Sequence, residues 1–232
     1  MRVWDIHPGY LNRQSLLGEH RELHGIVSIL SNNKKGYSRH PETLRWQGYG
    51  WALRQRHAML AAEMALRGYV DRTPVALRSK KGVWPETYID QPGAQLALLA
   101  GKYVERGEGR IPLPANAQQL WAQHKYSVMA RDPGIYKSIG GRVAARGGNS
   151  EVAAVALVLT ELLRQPPNRR YIKNTLQHMW GYVSQWSGVE GRKIEGLTPH
   201  RLLAEIRRAA FAGKVLYLVH STALSDLAAW KY

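Results

Sequence analysis

The sequence predicts an all-α protein: a first helical domain followed by a helical C-terminal domain. Three observations carry that expectation. Apolar residues recur at helical spacing over 16–30, 51–67 and 151–164, residues that cap or break helices stand at the ends of those stretches, and no stretch shows the strict alternation of a half-buried strand. There is no internal repeat and no run of heptads.

Residues 1–10 are short and extended in character, with Pro8-Gly9 as a turn. Asn12 is placed to cap a helix running through Leu16 to about Leu30, and the polar run Ser31 to Gly36 closes it. Pro41 suits the first turn of a helix that passes Trp46 and is interrupted at Gly48 and Gly50. Trp51 to Arg67 is the clearest helix of this half, with Gly68 as its stop and Arg54, Arg56 and Arg67 on its polar face.

Residues 70–114 read as irregular, with five prolines, the basic cluster Arg78-Ser79-Lys80-Lys81 and one short helix from Ala94 to Tyr103. The soft boundary falls at Pro112 to Pro114, giving domains 1–112 and 113–232, the first extending at most to about residue 140. A helix from Ala115 to Ala130 is followed by the turn Arg131-Asp132-Pro133-Gly134 and by Ile135-Tyr136-Lys137. Ser150 is placed to cap Glu151 to Arg164, and Pro166-Pro167 breaks that helix. Asn168 opens a helix to about Trp186, Thr198-Pro199 starts another that Gly213 ends, and Lys214 to Leu224 is apolar enough to be buried.

Composition narrows the function classes. With 44% hydrophobic and 22% charged residues the chain is globular. It has no apolar run of 18 residues and no secretory leader at its start, so a cytoplasmic, nucleoid-associated protein is expected. The absence of cysteine excludes disulfides and thiolate zinc sites. Lys and Arg number 33 against 17 Asp and Glu, a net +16. Residues 1–112 carry 17 basic and 10 acidic side chains and residues 113–232 carry 16 and 7, so both halves are basic. A folded surface of that charge attracts a polyanion, and nucleic acid is the commonest inside cells.

Several chemistries are absent as motifs: there is no nucleophile elbow, no P-loop and no dinucleotide fingerprint, so no cofactor is expected. His20 and His24 stand at i,i+4, but Arg21 occupies the place of the metalloprotease glutamate and no third ligand is evident, so no metal is expected. Basic and aromatic residues interleave from Asn168 to Tyr182, a pattern that fits core packing better than base stacking. Covalent catalysis in a chain of this kind falls to an amine or a carboxylate.

Leu16-Leu17-Gly18-Glu19-His20-Arg21-Glu22-Leu23 is the informative stretch. On a helical wheel Leu16, Leu23, Val27 and Leu30 form the core stripe, while Glu22 points away between Gly18 and Gly25. Either Glu22 is a solvated acid beside incidental glycines, or the two glycines, each costing up to about 1 kcal/mol against alanine, leave room for something to approach it.

This stretch resembles the helix of the phage endonuclease V family, the pyrimidine-dimer DNA glycosylases. The segments 53–57 and 65–69 look like a second matching helix, and Arg131-Asp132-Pro133 with Tyr136-Lys137 is similar to the family's aromatic C-terminal segment. The stretch Thr175 to Tyr182 resembles the YbgA-like domain, a family of unknown function. The first resemblance implies a glycosylase with abasic-site lyase activity on double-stranded damaged DNA, without a cofactor. In it the terminal α-amine, here that of Met1, attacks the sugar C1′ and forms a Schiff base, and Glu22 is the catalytic acid. An α-amine with an ordinary pKa of about 7.7 to 8.0 is roughly 20% neutral near pH 7.3, against roughly 0.1% for a lysine at about 10.4. Residues Arg2, Arg13, Arg21, Arg54, Arg56, His124, Lys125, Tyr136 and Lys137 are then expected to meet DNA.

The chain departs from the family in two ways. Where the phage enzyme loses its methionine to expose threonine, the bulk of Arg2 implies that Met1 is retained. A family histidine is replaced by Ser15, and a basic residue near 127–128 is lost, with His124 and Lys125 as nearby substitutes. The alternatives are a basic DNA- or RNA-binding protein without catalysis, and a glycosylase for a different modified base.

Overall fold

The computed structural model describes every residue except 33, 76, 78–80, 147–150, 188–193, 195 and 232, and leaves out the side chain of residue 146. Among the described residues it has eleven α-helices and no strand. The expected basic cluster at 78–80 and the cap at Ser150 lie outside the described residues.

Local capping sets most helix ends. Asn12 Oδ1 accepts the Ser15 amide at 2.9 Å and opens α1 (Arg13–Asn32). His40 and Pro41 open the short α2 (Pro41–Arg45). The next helix, α3 (Gly50–Leu66), ends two residues before Gly68, whose φ of +81° is left-handed. After a long irregular stretch come α4 (Pro92–Tyr103) and α5 (Ala117–Met129), the latter capped by Asn116. Where only a turn was expected, α6 (Pro133–Arg146) begins directly. Asp132 Oδ1 accepts the amides of Gly134 (2.7 Å) and Ile135 (3.0 Å), so Asp-Pro-Gly here is a cap and first turn.

The rest of the chain supplies α7 (Val152–Leu163), α8 (Arg169–Trp180) and α9 (Pro199–Ala212), the last two capped by Asn168 and Thr198. The helix α8 stops at Gly181, short of Trp186, which lies in a separate 3-10 turn. Two single turns, α10 (Leu216–Val219) and α11 (Ala223–Asp226), close the chain. The apolar segment expected to be buried is split: Leu218 and Leu224 are inside, while Leu216 is 60% exposed.

Two apolar cores result. The first gathers Leu16, Leu23 and Ile26 of α1, Leu53 and Leu60 of α3, and Leu96 and Leu99 of α4. It continues through Trp121, Ile139, Val143 and Leu159, so packing crosses the expected boundary at 112/113. The second gathers Tyr126, Ile172, Leu176, Met179, Leu203, Ile206 and Leu224. Helix α5 serves both, with Trp121 and Val128 in one core and Tyr126 and Ala130, just past its end, in the other.

The N-terminal segment is buried and, apart from a 3-10 turn at Pro8–Tyr10, belongs to no regular element: Val3, Trp4, Ile6, Tyr10 and Leu11 are all inside. Its backbone groups are met by side chains from elsewhere. Trp4 N donates to Glu19 Oε1 (3.2 Å) and Asp5 N to Gln95 Oε1 (2.8 Å). Arg45 donates to Val3 O (3.1 Å), Arg56 to Ile6 O (2.8 Å), and Arg67 to Gly9 O (3.1 Å) and Leu11 O (2.7 Å). A buried irregular segment would otherwise leave these groups unpaired at substantial cost.

Glu63 anchors this arrangement from α3. Its carboxylate takes Arg67 Nε (2.7 Å), Arg110 Nη2 (2.7 Å) and the Ser225 hydroxyl (2.6 Å), joining α3, the 110 loop and α11. Burial by itself raises its pKa, but Arg110 and Arg67 outweigh that and hold it at about 2, below the ordinary 4.5. Because the folded pKa is the lower one, the stabilisation is complete above pH 4.5 and is lost as pH falls toward about 2. Replacing Glu63 by Gln is expected to cost about 3–5 kcal/mol in urea unfolding at neutral pH, by leaving Arg110 buried and underpaired. The variant should also show a flatter loss of stability between pH 4.5 and pH 2 than the parent.

Candidate active site

The anchored N-terminal segment delivers Met1 to the exposed side of α1. Arg2 beside it is held by Asp90 (2.7 Å) and lies over the Trp4 ring, 4.0 Å from its centroid. Met1, Arg2, Gly18, Glu22 and Lys102 line an open cleft of about 280 Å³, whose buried lining residues are Trp4, Ser15 and Glu19. That is near the small end of ligand sites, room for one displaced sugar or base and not for a duplex.

Two glutamates one turn apart on α1 meet opposite fates. Glu19 is buried and takes both branches of the Arg56 guanidinium (2.7 and 2.9 Å). Glu22 is half-buried and lines the cleft with Met1. The glycines on its face leave the predicted room. A Cβ on Gly18 would meet nothing within 4 Å, and one on Gly25 would touch only Met1 Sδ at 3.9 Å. Met1 shares the cleft with Glu22 and lies over Gly25 on the same helix.

The Met1 amine lies 3.4 Å from His40 Nε2. On its other side the same ring accepts the Glu42 amide at Nδ1 (3.2 Å), as N-cap of α2. A neutral ring that accepts at Nδ1 carries its proton on Nε2 and points a donor at the amine.

Of the residues expected to meet DNA, the cleft gathers Arg2. Arg13 and Arg21 are exposed on α1, and helical spacing sets Arg21 three residues from Gly18, at the edge of the cleft face. Arg54 is exposed and donates to Leu77 O (3.2 Å). Arg56 is corrected: it is 1% exposed and bound to Glu19 and the N-terminal backbone, so it cannot reach a phosphate. His124 is corrected likewise, since it is buried against the Leu120 carbonyl (2.9 Å) and the Tyr10 hydroxyl. Burial lowers its pKa to about 4, so it is uncharged at neutral pH.

Lys125 stands over the Tyr217 ring (4.7 Å), Tyr136 packs on Trp121 with ring centroids 5.3 Å apart, and Lys137 is exposed; none of the three lines the cleft. Arg131, expected in the aromatic segment, is buried in a double ion pair with Asp226. Sequence reasoning left out Lys102, which reaches Ser15 Oγ at 3.2 Å, and His40; both come from elements remote from α1. It also left His20 and His24 without the partners that α3 and the segment after it supply, His57 and Asp71.

No curated protein and no solved structure shows significant similarity to the chain. Family models do match, in two places. Residues 1–77 match the family described as pyrimidine dimer DNA glycosylase, and residues 125–193 match a family described as a protein of unknown function, DUF1722. The segment 131–137 falls within the second match and outside the first, which agrees with the structural role of Arg131. The chain thus joins a segment similar to the pyrimidine dimer DNA glycosylase family, holding Met1, Arg2, Arg21 and Glu22, to a helical segment similar to a second family whose function is unknown.

Proposed function

We propose that the protein is a DNA base-excision enzyme, a glycosylase with abasic-site lyase activity on UV pyrimidine dimers or related damaged bases, and that the Met1 amine is its nucleophile. The observation that carries this reading is that Met1 and Glu22, far apart in sequence, line one cleft within the segment that matches the glycosylase family.

A damaged nucleotide leaves the stack at a cost of a few kcal/mol, least where the lesion has already weakened pairing, and its sugar enters the cleft. The neutral amine attacks C1′; the C–N bond forms as the glycosidic bond breaks, and the base departs with that electron pair and is protonated. His40 Nε2, 3.4 Å from the amine, helps to fix its position. The Glu22 carboxylate stabilises the positive sugar, and the ring oxygen takes a proton as the ring opens to the protonated imine. Loss of a C2′ proton to the carboxylate then expels the 3′ phosphate by β-elimination, and water hydrolyses the imine to free the amine. Arg2, Arg13, Arg21 and Arg54 supply cations for the flanking phosphates. The interior arginines are matched by buried carboxylates, so the net +16 remains a property of the surface.

Borohydride added during turnover on UV-irradiated or abasic duplex should trap one protein–DNA adduct, located by peptide mass analysis on Met1. Absence of an adduct on both substrates would overturn the proposal. Glu22→Gln should slow strand cleavage by about 100-fold or more while duplex affinity changes by less than about threefold. A residue added before Met1 should abolish trapping, whereas Lys102→Met, which removes the other amine of the cleft, should retain it. A basic binder without catalysis would instead show salt-sensitive binding and no response of any cleavage to these changes.

Gly18→Leu tests the clearance beside Glu22. Its side chain enters open space, so the melting temperature should stay within about 2 °C of the parent while cleavage falls at least about tenfold. Normal cleavage by this variant would show that the bare face of α1 is not needed.

A further inference from the structure

The histidines of α1 that the glycosylase reading does not use form a separate constellation. His57 comes from α3 and Asp71 from the segment beyond Gly68, and with His20 and His24 each offers one ligand atom, all four within 4.8 Å of one another. His24 Nε2 lies 3.1 Å from His57 Nε2. Asp71 reaches both remaining sides, with Oδ1 3.3 Å from His20 Nε2 and Oδ2 3.4 Å from His57 Nε2. Around a tetrahedral zinc ion with bonds of about 2.0–2.1 Å, neighbouring ligand atoms stand about 3.3 Å apart. With either carboxylate oxygen as the ligand, two of the six separations, His24–His57 and one from Asp71 to a histidine, are therefore already at coordination spacing.

Ordinary packing explains this cluster poorly. The three rings meet with centroids 4.7 to 5.1 Å apart and without parallel stacking. His20 Nε2 is buried and makes no hydrogen bond, although a carboxylate oxygen is 3.3 Å away. His24 Nε2 and His57 Nε2 face each other at 3.1 Å, which metal-free rings satisfy with one as donor and the other as acceptor. A cation would take a lone pair from every ring and so also give His20 Nε2 a partner.

We infer that His20, His24, His57 and Asp71 bind a divalent first-row transition metal, zinc by preference, in a closed tetrahedral N₃O site. Three imidazoles and one carboxylate suit zinc, while calcium and magnesium favour all-oxygen sets. Four protein ligands leave no position for an activated water, so the ion holds structure and performs no hydrolysis. What it holds is specific: α1, α3 and the segment 69–75, which has no helix of its own. Thr73 orients the carboxylate, donating to Asp71 Oδ1 from its amide (3.0 Å) and its hydroxyl (3.2 Å). The Thr73 hydroxyl also lies 3.2 Å from His24 Nε2, and on metal binding it remains with Asp71.

The test uses the full chain, freed of metal by chelation and titrated with zinc or cobalt(II). Emission analysis after dialysis should find about one zinc per chain, and cobalt should give the intense visible bands of tetrahedral coordination. Zinc should raise the melting temperature by about 5 °C or more. Asp71→Asn and His24→Gln should each weaken zinc binding by at least about tenfold and abolish the thermal shift, with the circular dichroism of the metal-free parent retained. No retained zinc, a weak octahedral cobalt spectrum, or equal uptake by both variants would overturn the proposal.

Discussion

A buried, extended chain end without a sheet is the constraint on which the fold depends. Residues 3–11 lie inside the first core, yet apart from one 3-10 turn at Pro8–Tyr10 neither helix nor strand pairs their backbone. Their amides and carbonyls are bound one by one by Glu19, Gln95, Arg45, Arg56 and Arg67. Each of those side chains must in turn be neutralised or positioned, which is why Glu19 faces inward, Glu42 pairs with Arg45 (2.6 Å), and Glu63 pairs with Arg67. The position of Met1 is the outcome: an end that would otherwise fray is held by hydrogen bonds along its length.

The same demand accounts for the interior charges. Asp5 takes Arg45 (2.9 Å) and Arg164 (2.8 Å), so it ties α2 and the end of α7 to the N-terminal segment. Asp226 takes Arg131 and Glu63 takes Arg110, drawing the last turns of the chain onto α5 and α3. Buried pairs of this kind contribute little net stability compared with apolar packing of the same volume, but breaking one leaves a stranded charge. Their effect is to select one arrangement of helices. They also consume carboxylates and arginines in similar numbers, which leaves the positive excess on the outside, where it can act on a polyanion.

The two family matches do not correspond to two separately packed bodies. Helix α5 begins before the second match and places side chains in both cores, while α11, beyond that match, packs on α3 of the first. The C-terminal segment is therefore part of the support of the helix that carries Arg56 and His57, whatever further role it has. Among the described residues no helix is long and apolar enough to cross a membrane.

The sequence by itself determined the helices and one acid. Caps act through groups two or three residues away, so Asn12, Asn168, Thr198 and Gly68 announced their helix ends, and the glycines around Glu22 announced an open face. Asp132-Pro133-Gly134 was misread because the same residues suit a turn and a helix start, and the following packing chooses. Only the tertiary structure decided which polar side chains are inside. Periodicity assigned Arg56 to the polar face of α3 and could not show that Arg56, His57 and Glu63 are all buried. Glu19 and Glu22, three residues apart, differ in surroundings because Arg56 pairs with the first while the second lines the open cleft. Local hydrogen bonds are written in neighbouring residues; the partner of a buried charge comes from a distant part of the chain, and only folding brings it there.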